Sequence, residues 1–122
     1  AQREQRVAKL RLKDLEPEQR DRFAEQWRHV QAQFVDDPRG AIVEADSLVQ
    51  RVMDTRGYPL AGFERQAEDI SVDHPQVVSN YRAAHDIAQR SQEGDVTTEE
   101  LRQGMIHYRA LFSDLLGAAA SV

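Results

Sequence analysis

The residues best suited to chemistry in this chain are its four histidines. Two of them fall where helices would turn them inward: His85 follows Tyr81 by four residues, and His107 adjoins Tyr108. If the helices carrying them pair, the two imidazoles can converge with an acid such as Asp86 or Asp114 to hold a divalent metal, because imidazole and carboxylate are ordinary ligands for such ions. Neither histidine sits in an HExxH or comparable spacing, so His85 and His107 are metal candidates by position alone. The plainer reading is a half-buried histidine bonded to a neighbouring helix. No cofactor is expected.

The remaining candidates each have a structural explanation. His74 belongs to Asp73-His74-Pro75, which reads as a helix start, and His29 reads as exposed beside Trp27. Asp36 and Asp37 invite a carboxylate-pair reading for acid–base work or cation binding. The proline at position 38 makes capping the better account, since an Asp at N-cap accepts a backbone N–H and Pro at N1 has none to lose. Trp27 is read as core, with an exposed interface anchor as the alternative. Arg56-Gly57-Tyr58-Pro59 combines a cation, a fixed turn and an aromatic. Arg56, Tyr58 and Pro59 therefore form a possible interaction loop, set against a helix stop with Tyr58 packed on the core. Gly57 and Gly62 do not make GxGxxG, and no GxSxG or Walker pattern occurs. No catalytic motif is found, so a non-enzyme is expected.

These side chains must be positioned by helices. Pro17 opens the first, with Phe23, Trp27, Val30 and Phe34 at spacings of four, three and four on one face. The second runs from Pro38 to about Arg56, burying Ile42, Ala45, Leu48, Val49, Val52 and Met53, and Gly57 ends it in a left-handed turn. Tyr58 to Ile70 holds a short third helix with Leu60, Phe63, Ala67 and Ile70 inward. Asp73-His74-Pro75 opens a fourth, with Val77, Val78, Tyr81, Ala84 and Ala88 inward, ending at Ser91 to Gly94. Thr97 and Glu100 form a capping box for a fifth carrying Leu101, Met105, Tyr108, Phe112 and Leu115. No stretch alternates with period two. The expected architecture is an all-α helical bundle of four to five helices, two long hairpins joined by a short helix. Residues 1–16 form a lead-in (short helix or extended strap), 17–117 the helical domain, and 118–122 a fraying end.

At 122 residues, with 40% apolar and 30% charged residues, the chain fits one soluble domain. There is no cysteine, which excludes disulfides, thiolate metal sites and cysteine nucleophiles. The net charge of −5 argues against a general nucleic-acid binder. It is unevenly spread: Arg3, Arg6, Lys9, Arg11 and Lys13 outnumber Glu4, Asp14 and Glu16 in the lead-in, and the body is acidic. No apolar run reaches the roughly 20 residues that span a bilayer. The chain begins at Ala1, so an upstream anchor is compatible with it.

Several blocks carry a family resemblance: Arg6-Val7 with Lys9-Leu10, Arg22-Phe23 with Trp27 and Val30-Gln31, and Phe34-Val35-Asp36-Asp37-Pro38. They continue with Glu44-Ala45-Asp46, Val52-Met53, Arg56-Gly57-Tyr58-Pro59, Phe63-Glu64, Ser71-Val72-Asp73-His74-Pro75 and Asn80-Tyr81-Arg82-Ala83-Ala84-His85. Thr98-Glu99-Glu100-Leu101-Arg102, His107-Tyr108-Arg109 and Leu111-Phe112 close the series. In these the chain resembles a family of uncharacterised bacterial proteins, mostly single-pass membrane proteins with a C-terminal cytoplasmic helical domain. Glu16 departs from the small polar cap usual there.

The resemblance implies a transmembrane helix and an Arg-rich juxtamembrane stretch ahead of this domain, and the positive-inside rule then places the domain at the cytoplasmic face of the inner membrane. It implies no activity, cofactor or catalytic residue. The expected function is a non-enzymatic, membrane-tethered module that binds another protein or itself, or a scaffold, with no nucleic-acid partner. The alternative is a small-molecule or metal-binding enzyme with its site between the hairpins.

Overall fold

A computed structural model describes residues 12–117, which form five helices: α1 (Pro17–Asp36), α2 (Pro38–Arg56), α3 (Phe63–Asp73), α4 (Pro75–Gln92) and α5 (Thr98–Leu116). There is no strand among the described residues. The expected all-α bundle is the fold: α1 packs on α2, α4 packs on α5, and short α3 lies against α4. α2 is the central helix, in contact with α1, α4 and α5. Its sequence explains why. Ala41, Ala45, Leu48 and Val52 form one apolar stripe and Ile42, Val49 and Met53 a second beside it, all buried. Two adjacent stripes make a face wide enough to serve three neighbours. α5 approaches closely because Gly104 lacks a side chain; a Cβ there would lie 2.9 Å from Ile42 Cδ1 and 3.1 Å from Ile87 Cγ2.

Single-residue joints connect α1 to α2 and α3 to α4. Asp37 (φ −145°, ψ 73°) and His74 (φ −135°, ψ 57°) each precede a proline. The ring of the following proline expels its predecessor from the helical region, so one residue breaks the helix and the proline starts the next. At the first joint Asp37 Oδ1 accepts from the Gly40 N–H at 3.1 Å, as a cap should, while Asp36 is the last residue of α1. The second joint differs from expectation. Asp73 remains helical as the end of α3, and His74 takes the N-cap position without a side-chain cap bond. Only the residue directly before a proline is pushed out of the helix, so Asp73 lies one position too early to cap α4.

α2 ends as expected, with Gly57 left-handed at φ 93° and the Tyr58 N–H donating to the Met53 carbonyl at 2.9 Å. That bond is the long-range bond of a Schellman cap. α3 begins later than Tyr58, because Gly62 is also left-handed (φ 73°) and the helix can start only after it. At α5 the capping box forms: the Glu100 N–H donates to Thr97 Oγ1 at 3.1 Å, and the Thr97 N–H to Glu100 Oε1 at 3.0 Å. Residues 12–16 are not helical: Glu16 has extended backbone, Leu15 is buried, and the Lys13 N–H donates to the Arg56 carbonyl at 3.0 Å. The strap reading holds there. The rest of the lead-in and the end expected to fray lie outside the described residues.

Candidate functional site

A polar cluster gathers around Asp46, a largely buried carboxylate on α2 where α4 and α5 pack against it. Asp46 belongs to the inward surface by spacing, four residues after Ile42 and three before Val49, so its carboxylate needs partners inside the bundle. It has three. Tyr108 Oη on α5 donates to Asp46 Oδ1 at 2.6 Å, His85 Nδ1 on α4 lies 2.9 Å from the same oxygen, and Gln50 Nε2 donates to Oδ2 at 2.8 Å. A carboxylate oxygen accepts, so His85 Nδ1 carries the proton. Tyr81 stacks on the imidazole, with ring centroids 5.2 Å apart and planes 11° from parallel.

The electrostatics follow from this geometry. The hydrogen bond from Asp46 raises the His85 pKa above its ordinary 6.5, against the opposing effect of burial. Burial foremost, then the Asp46 charge, pushes the Tyr81 hydroxyl up to about 12. Burial likewise raises Tyr108, whose ring is fully enclosed, so its hydroxyl stays a donor. Glu64 flanks the cluster, held below the usual carboxylate range by the Arg82 guanidinium, with Arg82 Nη2 to Glu64 Oε1 at 2.6 Å.

The structure therefore joins His85 to an acid, but not to either acid expected from sequence. Asp86 turns to Arg90, with Arg90 Nε to Asp86 Oδ2 at 3.1 Å. Asp114 lies at the far end of the bundle, beside Arg56 and Tyr58. His107 pairs with Asn80 instead, its Nδ1 3.0 Å from Asn80 Oδ1. Each of the two histidines is thus a half-buried side chain bonded to a neighbouring helix. Among the described residues no three His, Cys, Asp or Glu side chains converge to hold a metal. His29 is exposed, 3.3 Å from Glu25 one turn earlier. His74 meets the edge of Tyr58, ring centroids 5.9 Å apart.

The Arg56-Gly57-Tyr58-Pro59 turn is tied inward. Arg56 Nε donates to the Lys13 carbonyl at 2.8 Å, and Nη1 to the Leu115 carbonyl at 3.0 Å, one of the last acceptors of α5. Its guanidinium also lies over the Tyr58 ring, 5.9 Å from the centroid. Tyr58 is buried. The turn is a clasp joining the strap, α2 and the end of α5, and the aromatic is not presented to a partner.

A different surface does present apolar side chains. α1 and α5 touch over little of their length. Between them runs an open groove lined by Trp27, Gln31 and Phe34 of α1 and by Arg102, Met105, Ile106 and Arg109 of α5. Trp27 is 9% exposed and stacks on Phe112 with centroids 4.4 Å apart, which makes it core on one side and groove floor on the other. Phe34 and Met105 are only partly buried, and Ile106 is 45% exposed. The apolar stripe of α1 is wider than α2 alone covers, and the sequence spacing that put Phe34 inward could not show this.

No protein-family model matches the chain, and neither a curated protein nor a solved structure matches it significantly.

Proposed function

We propose that this domain is a non-enzymatic protein-interaction module that docks a partner in the groove between α1 and α5. The groove carries the reading: two flanking helices leave Phe34, Met105 and Ile106 incompletely covered, and such apolar surface rimmed by polar groups is what protein contacts bury. The Asp46 cluster is read as a structural tie, since both its oxygens are engaged by the protein itself. The resemblance in its sequence blocks supports a membrane-tethered setting on the cytoplasmic face. Tethering would raise the local concentration of a partner held at the same membrane. No helix among the described residues is long and apolar enough to cross a membrane, so the anchor in this reading is a separate segment.

Affinity capture of the full-length protein from its own cells tests the proposal, with Ile106→Glu as the comparison. The expected result is a partner captured by the wild type and lost with Ile106→Glu, while the circular dichroism of the two is the same. Capture that is indifferent to Ile106→Glu would sink the groove as the docking face.

One observation favours a second reading, a metal- or small-molecule-dependent enzyme: the His85–Asp46 pair lies between the hairpins. A ligand that binds only the folded state raises the melting temperature. A melt series with divalent metals that leaves the wild type unmoved would remove the metal version.

A further inference from the structure

The groove has the dimensions and the charge to select its partner. Trp27 to Phe34 and Arg102 to Arg109 are both seven-residue steps, so each wall is two helical turns, about 10.5 Å long. Two such walls with an apolar floor accept two turns of a third helix, docking by residues at i, i+3 or i+4, and i+7. Among the seven lining residues two are arginines and none is acidic, although acidic residues outnumber basic ones across the chain. Arg102 and Arg109 stand two turns apart on one face of α5, with exposed Ile106 between them. Arg109 makes no ion pair among the described residues. Arg102 is held by Glu99 one turn below it in an exposed bidentate pair (Nε to Oε1 3.1 Å, Nη2 to Oε2 2.7 Å), so a partner carboxylate reaches Arg102 only by displacing Glu99, and Arg109 is the open cation of the groove.

We infer that the occupant is an amphipathic helix of a partner protein that carries carboxylates two turns apart beside its apolar stripe. This rests on the groove being the docking face. Charge disfavours the chain's own lead-in as occupant, because residues 1–11 hold four basic side chains and one acid and would set cation against cation. Carboxylates facing Arg109 and Arg102 instead give bidentate pairs at the groove rim, where charge selects partners and speeds encounter.

The chain's single tryptophan lies in the groove, so its emission reports occupancy directly. Two synthetic peptides of about 18 residues, long enough to be partly helical, share a leucine stripe and differ only in flanking glutamates or lysines. The expected result is a saturable change in Trp27 emission with the glutamate peptide, weakened by salt. The lysine peptide binds about ten-fold or more weakly, equivalent to one good charge pair, and Arg109→Glu removes most of the difference between the two. Equal binding of both peptides would overturn the acidic class while leaving the groove as a docking face. So would a Trp27 shift that rises with protein concentration alone, which would mean that a second copy fills the groove. No response to either peptide also overturns this inference, and the capture experiment with Ile106→Glu then decides separately whether the groove docks anything.

Discussion

Asp46 shows what one inward carboxylate demands of its surroundings. It draws a hydroxyl, an imidazole and an amide from three helices, and each donor has a measurable weight. Tyr108→Phe keeps the ring packing and removes one bond to a charged acceptor, so urea unfolding should show a loss of about 1.5–3 kcal/mol. A loss near zero would mean that Asp46 finds water in its place. The His85 pair adds a pH dependence. Its folded-state pKa is raised, so its contribution is complete below the ordinary value of 6.5 and is lost as pH rises through the higher folded value. The stability difference between wild type and His85→Gln should therefore be larger at about pH 5 than at about pH 9. The opposite slope would contradict the assignment. This cluster was half legible in the sequence. Tyr81 and His85 declare themselves by inward spacing, and Asp46 could have been found the same way, as an acid on the stripe of Ile42 and Val49. Which acid meets His85 depends on helix pairing, and neighbours in sequence such as Asp86 point elsewhere.

Helix ends were the most legible elements, because caps and prolines act over three or four residues and need no tertiary partner. Pro17, Pro38 and Pro75 each sit at the first position of a helix, and Thr97 with Glu100 forms the box that its spacing implies. Thr97→Ala should cost about 1 kcal/mol in thermal or urea unfolding, the usual weight of an N-cap. Loss of helix content without loss of global stability would show instead that α5 frays locally. The start of α3 was less legible, since Gly62 determines it through a left-handed conformation that the apolar spacing from Leu60 does not reveal. At α1, Trp27 is the anchor to α5 through Phe112. Trp27→Ala should destabilise the fold by about 3–5 kcal/mol, the range for deleting a buried large aromatic; a loss below about 1 kcal/mol would contradict its burial.

At the scale of the whole molecule, α2 is the post against which α1, α4 and α5 pack, and two polar ties hold the assembly. Asp46 links α2 to α4 and α5, and Arg56 links α2 to the strap and the end of α5. The all-helical class and the two-hairpin order could be read from periodicity and punctuation. The groove could not, because it arises from α1 and α5 each serving other neighbours better than one another. Phe34 and Met105 read as ordinary core in sequence, and Trp27 as core with an interface anchor as the alternative. The most direct test of docking in this groove is photo-crosslinking in cells from a reactive residue placed at Ile106 of the full-length protein, with Val72, 77% exposed on α3, as the control position. A discrete adduct from position 106, weakened by Arg109→Glu and missing from position 72, is the predicted result. An adduct from position 72 with none from position 106 would contradict it.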